Sequence, residues 1–300
     1  MTTMRLTTVQ FMLEPESSVE GFLHHLDRLT RLAVDQGAQC VVFPELASTG
    51  LLGSIDDHQV TSETIRSDYW NVLSGLFDQI QDGIRAISKA HGVIVLGGSH
   101  IRLAEDGSLR NTAVLCHPDG TLVAQDKMHL TPQEHQLGMR GGDELALTRI
   151  GPFTAGILIC ADIQFPELSR YLVAKGADLI LCPSLTWNRR GVHRVRTGCS
   201  ARAIENQLYV VMSPLIGSDG LPADAPMHAA GAALVTTPVD RTLGLNDGLL
   251  ATLDGTEEAV LTVDLDHDKL LASRAAPEAP GLALQRPDLY AALRAELTGP

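Results

Sequence analysis

Gly156-Ile157-Leu158-Ile159-Cys160-Ala161-Asp162 puts a thiol at the end of an apolar, β-rich run, directly before the helix-like stretch Phe165 to Lys175. A side chain at a strand-to-helix turn points out of the sheet edge, where the first free N–H groups of the following turn can stabilise an oxyanion or lower a thiol pKa. Position alone leaves two readings of Cys160 open. One is a nucleophile; the other is a small core hydrophobe that needs none of these neighbours.

Two further segments bear on that choice. Val41-Val42-Phe43-Pro44-Glu45 is a β-branched run ending in a carboxylate, and Asp126-Lys127-Met128-His129-Leu130 places an ammonium just after another strand-like run, Thr121 to Gln125. In a layered α/β protein the strand ends gather at one edge, so groups distant in sequence can meet there. Carboxylate, ammonium and thiol make a self-consistent acyl-transfer set: the carboxylate takes the thiol proton, the thiolate attacks, and the ammonium holds the developing oxyanion. A Cys-His pair is the rival arrangement, with His129, His193 and His228 available, but no papain-like local signature accompanies them.

On VVFPELASTG around Glu45, QDKMHLTPQEH around Lys127 and GILICADIQFPELSRYLVAKGADLILCPS around Cys160, the chain resembles the nitrilase superfamily of carbon–nitrogen hydrolases, marked by a Glu-Lys-Cys triad. A fourth block, ARAIENQLYVV from Ala201 to Val211, also agrees, and weaker similarity runs from Gln10 to the late VLTVDLD stretch. The resemblance implies a four-layer α-β-β-α sandwich, with Glu45, Lys127 and Cys160 as the triad. It also implies a second glutamate, Glu134, touching the triad lysine or positioning substrate. Ala161, Gln164 and Trp187 are the expected substrate-binding residues.

Departures from the family pattern bear on substrate. Ile163 and Gln164 stand where carbamoyl-amino-acid hydrolases carry carboxylate-gripping arginines, and Ala161-Asp162 replaces the Trp-Glu pair that follows the nucleophile in many nitrilases. An amide is therefore expected over a nitrile or carbamoyl substrate. Arg189, Arg190 and Arg194 are open both as carboxylate partners and as a solvated helix face. A silent scaffold and an ammonia-supplying subunit of a synthetase are the alternatives from other classes.

Composition sets outer limits. A chain of 300 residues with 44% hydrophobic content can bury a sizeable core. No linker, low-complexity tract or repeat divides it, so 1–274 is expected to be a single hydrolase domain and 275–300 a tail that packs on a neighbouring subunit. The net charge of −13 argues against nucleic-acid or anionic-membrane partners, which need basic patches. Arg5 followed by Glu14 and Glu16 leaves no apolar core for a signal peptide, and a cytoplasmic location is expected. Cys40, Cys116, Cys182 and Cys199 read as reduced packing residues. No metal or organic cofactor is expected: His24 and His25 are adjacent on a helix, neither His-x-x-x-His nor Cys-x-x-Cys occurs, and the triad supplies all the chemistry.

Periodicity alternates between strand and helix. Arg5 to Met12 reads as a strand, Ser17 or Ser18 caps a helix bearing Phe22, Leu26, Leu29 and Ala33, and Gln39 to Phe43 is the next strand. Ser67 to His91 is expected to be one long amphipathic helix. A meander follows (93–100, 112–117, 122–125), then helices over Phe165 to Lys175 and Val192 to Gln207 with strands Leu179 to Cys182 and Leu208 to Ser213 after them. Ala230 to Thr236 and Ala259 to Asp264 are late strands. Periodicity alone does not separate a sandwich from a doubly wound sheet. Family resemblance further implies a homodimer or larger assembly through the two later helices, with Leu168, Tyr171 and Leu172 exposed at helical spacing on the first.

Overall fold

The computed structural model describes residues 2–55, 59–217, 229–253 and 255–298. In chain order its strands are β1 (Thr3–Met12), β2 (Cys40–Val42), β3 (Ile94–Leu103), β4 (Leu109–Cys116), β5 (Leu122–Asp126), β6 (Leu147–Ile150), β7 (Phe153–Ile157), β8 (Leu179–Leu185), β9 (Tyr209–Ile216), β10 (Leu234–Thr236), β11 (Leu249–Thr252) and β12 (Ala259–Asp266). The α-helices are α1 (Val19–Asp35), α2 (Ile65–Asn71), α3 (Phe77–His91), α4 (Pro132–Gln136), α5 (Pro166–Ala174), α6 (Arg189–Asn206), α7 (His267–Ala275) and α8 (Pro287–Thr298).

Strand pairing divides these into two sheets. One runs β5-β4-β3-β2-β1-β12 and the other β6-β7-β8-β9-β10-β11; among the described residues they join only where Phe11 and Met12 of β1 leave the first sheet to pair with Leu215 and Ile216 of β9. Alternation of side chains then decides the layers. Met4, Leu6, Cys40, Val42, Leu96, Ala113 and Leu115 face the second sheet. Val9, Val41, Phe43, Val95 and Val114 face the other way, against Phe22, Leu26 and Leu29 of α1 and Ile80, Ile84 and Ile87 of α3. The parallel trio β7-β8-β9 is covered on both faces, by the first sheet and by Leu172, Val195, Cys199 and Ala203 of α5 and α6, so Leu179–Leu185 is apolar almost throughout. The result is the expected α-β-β-α sandwich.

The helix expected over Ser67 to His91 is broken in two. α2 ends at Asn71, and a single 3-10 turn, Leu73–Leu76, precedes α3. Ser74 Oγ donates to the Trp70 carbonyl (2.7 Å) and so offers the backbone an alternative partner, and Gly75 adds the poor helix propensity of glycine. Ser18 is the N-cap of α1, its hydroxyl accepting from Gly21 N. β6, β11 and α7 lie in segments too short or too mixed in pattern to read. The C-terminal tail contains a helix, α8, on which Leu289, Tyr290 and Leu293 are exposed. The apolar stripe expected on α5 is exposed only at Tyr171. Leu168 is half-buried against the core, and Leu172 is fully buried because it packs directly on Gly156 of β7, where an added Cβ would lie 2.7 Å from its Cδ1. No described helix is long and apolar enough to cross a membrane.

His25 of α1 is clamped between Glu16 (3.1 Å from Nδ1) and Glu258 (2.7 Å from Nε2) and stacks on Phe11. Burial alone would lower its pKa, but the hydrogen bonds and charges of Glu258 and Glu16 outweigh burial and raise it above 6.5. A raised folded-state pKa means the clamp's contribution is complete below about pH 6.5 and is lost as pH rises through the folded value. Melting temperatures of wild type and His25→Gln should therefore differ most at acid pH and converge above neutrality; a constant gap would show that the imidazolium charge contributes nothing.

Candidate active site

The order of pairing brings three strand ends to one edge. β2 runs parallel to β1 and β3, β7 parallel to β8, and β5 antiparallel to a strand that is itself antiparallel to β3, so their C-terminal ends share an edge within each sheet. Glu45 follows β2, Lys127 is the residue after β5, and Cys160 follows β7. Glu45 turns inward because the chain is pinned on both sides. Ser99 N donates to the Pro44 carbonyl (3.1 Å), Leu46 N donates to Ser99 Oγ (3.0 Å), and Leu46 takes a left-handed φ of 51°. Gly98 makes that approach possible: its φ is +91°, and a Cβ there would lie 2.2 Å from the Pro44 oxygen.

Lys127 is a buried ammonium shared by two carboxylates. Its Nζ donates to Glu45 Oε1 (2.6 Å) and to Glu134 Oε1 and Oε2 (3.0 and 2.8 Å). Asn111 Nδ2 donates to the same two Oε1 atoms, at 2.9 Å to Glu45 and 3.0 Å to Glu134. Glu134 is held independently by a capping box: Thr131 N and Oγ1 donate to its Oε2, and its own N–H donates to Thr131 Oγ1.

The two glutamates are driven apart electrostatically. Burial raises the pKa of Glu45, and Lys127 offsets this only in part. Burial would raise Glu134 as well, but there Lys127, Asn111 and Thr131 outweigh it and hold the carboxyl below its ordinary value. Lys127 is kept protonated: burial opposes its charge, yet Glu45 and Glu134 raise it well above the usual lysine value. The two carboxyls that flank Lys127 are thus shifted in opposite directions, Glu134 downward and Glu45 upward.

Cys160 opens a 3-10 turn, Cys160–Gln164, with a left-handed φ of 48° that is uncommon outside glycine. Asp162 holds this turn. Its carboxylate accepts from Ile159 N (3.1 Å), Met128 N (3.2 Å) and His129 N (2.7 Å), tying the thiol's turn to the segment that follows Lys127. The thiol donates to the Leu185 carbonyl (3.3 Å), while Leu185 N donates to Glu45 Oε2 (2.8 Å), so one residue at the end of β8 spaces thiol and carboxylate. Burial and the Glu45 charge push the Cys160 pKa well above its ordinary value, which favours the neutral thiol.

Glu45, Lys127, Glu134 and Leu185 form the floor of a cavity of about 350 Å³, walled by Tyr69 and Trp187 among others.

The family model for carbon-nitrogen hydrolases matches residues 5–274. The chain belongs to the carbon-nitrogen hydrolase family. It is 30% identical over 289 residues to a probable hydrolase of Bacillus subtilis (strain 168), covering 95% of this chain but only 54% of that protein, so it spans about half that relative's length. A stereoselective amidase of a Pseudomonas species is 30% identical over 78% of this chain and 75% of its own, and an omega-amidase of Xenopus tropicalis is 27% identical over 95% and 96%. Among solved structures, a double mutant of the amidase from Nesterenkonia sp. AN1 in complex with acrylamide superposes with a TM-score of 0.75 at 22% identity over 98% of both chains. The fold is that of nitrilase-superfamily amidases.

Within this carbon-nitrogen hydrolase the sequence-predicted residues separate. Glu45, Lys127, Glu134 and Cys160 come together, and Trp187 lines the cavity. Ala161 is the second residue of the Cys160–Gln164 turn, where an N–H has no acceptor within the turn. Gln164 lines a separate shallow cavity with His193, Arg194 and Arg202, not the one floored by Lys127. Arg189 and Arg190 are exposed, and Arg189 lines a third cavity with His193. Of the rival histidines, His129 is stacked on Phe165 beside Asp162, His193 is exposed, and His228 lies outside the described residues.

Asn111, Asp162 and Leu185 are not legible in the sequence as site residues. Leu185 acts through its backbone, and Asn111 is one polar position in a strand. Glu134 carries a signal beyond resemblance, since Thr131-Pro132-Gln133-Glu134 is a capping-box pattern with proline at the first helical position. Glu134→Ala should leave the Lys127 ammonium with one carboxylate and destabilise the fold by on the order of 3 kcal/mol, read from urea midpoints. An unchanged midpoint would mean that Glu45 alone compensates the buried charge.

Proposed function

We propose that the chain hydrolyses a carbon–nitrogen bond, other than a peptide bond, in a small amide through a Cys160 thioester. The observation that carries this reading is the shared Lys127: its ammonium lies 2.6 Å from Glu45, and the cavity opens onto both. Glu45 accepts the Cys160 proton as the sulfur attacks the amide carbon. The carbonyl oxygen becomes an oxyanion, held by the Lys127 ammonium and the Ala161 N–H. Collapse of this intermediate breaks the C–N bond as Glu45 returns the proton to the departing nitrogen, and ammonia or an amine leaves. Glu45 then takes a proton from water as its oxygen attacks the thioester carbon; collapse breaks the C–S bond and releases the acid, and Glu45 returns its proton to the departing sulfur, restoring thiol and carboxylate.

The pKa directions favour this order. A thiol whose pKa is raised by burial is generated as a nucleophile only when Glu45 takes its proton, and Glu134 stays ionised to balance Lys127 throughout. Trp187 is assigned to the substrate wall on its place in the cavity. An amide remains preferred to a nitrile on the Ala161-Asp162 pair, and nitrile or carbamoyl hydrolysis by the same residues is the alternative to test in a substrate panel scored by ammonia release.

Cys160→Ala should abolish turnover with the fold intact, and full activity in that variant would sink the mechanism. Lys127→Ala should lower kcat by about 10²-fold or more, as for loss of an oxyanion donor. Glu45→Gln should reduce both turnover and alkylation of Cys160 by iodoacetamide near neutral pH; unchanged alkylation would make the carboxylate structural.

A homodimer or larger assembly through α5 and α6 is part of the same reading, supported by exposed Phe165, Tyr171 and Ile204 on and beside those helices, with the tail from residue 275 packing on the neighbouring subunit. Light scattering at micromolar concentration should give at least twice the chain mass. A monomer would refute the assembly without touching the triad.

A further inference from the structure

The carboxylates on the cavity floor have their lone pairs committed. Glu134 takes hydrogen bonds from Lys127 on both oxygens and from Asn111 Nδ2, Thr131 N and Thr131 Oγ1, which exhausts the roughly four acceptor sites of a carboxylate. Glu45 takes Lys127, Asn111 Nδ2 and Leu185 N, and the Cys160 proton occupies its last site during turnover. The Leu185 carbonyl accepts from the thiol. Lys127 and the Ala161 N–H face the oxygen of a bound amide, but the amide also brings N–H groups, and enclosing these without an acceptor is costly.

Tyr69 of α2 supplies an acceptor. It lines the cavity with Glu45, Lys127 and Glu134 and is only 2% exposed, whereas Ser62, Glu63, Gln133 and Gln136 are exposed at the mouth. The neighbouring walls, Leu46 and Trp187, carry no side-chain acceptor. The direction of the Tyr69 proton follows from its partner. Tyr69 hydrogen-bonds to Thr49, and Thr49 Oγ1 gives its single proton to the Leu46 carbonyl (2.8 Å), so the proton shared by the two hydroxyls is that of Tyr69. Burial holds the phenol pKa far above its ordinary value, and the charges of Glu134 and Glu45 add to the shift, so the group stays neutral. With its proton spent on Thr49, the phenol oxygen has lone pairs and no donor left for the cavity.

We infer that Tyr69 is the specificity-determining residue for the substrate's nitrogen: its phenol oxygen accepts an N–H of the carboxamide and so selects an amide over an ester or a nitrile, neither of which carries that hydrogen. This rests on the amide-hydrolase reading above. The amide that releases most ammonia in the substrate panel and the methyl ester of the same acid form the test pair. Tyr69→Phe should lower the amide-to-ester ratio of kcat/KM by about tenfold or more with ester turnover retained, because it removes one oxygen and leaves the ring, the triad and the oxyanion donors in place. Thr49→Val, which frees the phenol proton to turn into the cavity, should lower the ratio in the same direction. Calorimetric binding of the pair to Cys160→Ala reads the contact without turnover: adding Tyr69→Phe should weaken amide binding by about tenfold and leave the ester unchanged. An unchanged ratio in both variants, equal losses on amide and ester included, would overturn the inference and leave the hydrolase reading standing. Release of ammonia from no amide would remove the hydrolase reading and this assignment with it.

Discussion

The interaction on which the rest of this site depends is one buried ammonium held between two carboxylates. Removing three charges from water is costly, and their attraction offsets that cost only where the remaining donors and acceptors are satisfied. Here the geometry meets that condition unequally. Glu134 receives Asn111, Thr131 N and Thr131 Oγ1 in addition to Lys127, whereas Glu45 receives Asn111 and Leu185 N and leaves room for a thiol. The inequality separates the two carboxyls electrostatically, one lowered and one raised, without any difference in residue type.

That arrangement makes demands on the backbone, and the sandwich meets them at its edge. Leu46 and Cys160 both adopt left-handed φ values; Leu46 N is held by Ser99 of another strand, and the turn of Cys160 is closed by its own Asp162 carboxylate on Ile159 N. Strain of this kind persists where the surroundings over-determine it. Asp162 accepts from backbone both beside Cys160 and in the segment after Lys127, so one carboxylate ties the two segments together.

The sequence is most readable where one local rule suffices. β2, the α1 cap at Ser18 and the strand-to-turn position of Cys160 each follow from alternation, capping or a change of period within a few residues. The Ser67 to His91 stretch misleads because its apolar spacing persists through the 3-10 turn; the interruption comes from Ser74 and Gly75, which the hydrophobic pattern does not register. Asn111 and Leu185 are invisible for another reason. Their roles exist only once β4 and β8 bring them beside Glu45, 66 and 140 residues away along the chain. The triad itself is legible only because family motifs flank it; Lys127 in isolation reads as a surface lysine.

Gln164 shows where such motif reasoning stops. A side chain so soon after Cys160 is a natural pocket position by sequence, but the 3-10 turn from Cys160 to Gln164 carries it over to the α6 side, where it lines a separate cavity with His193 and Arg194. Gly198 of α6 packs against Ile163 so closely that a Cβ there would lie 3.1 Å from the Ile163 oxygen. The turn is therefore packed directly on the helix. Beyond Glu45, Lys127, Glu134 and Leu185, the cavity is lined instead by Leu46, Trp187, the segment from Ser62 to Tyr69 and the loop from Thr131 to Leu137.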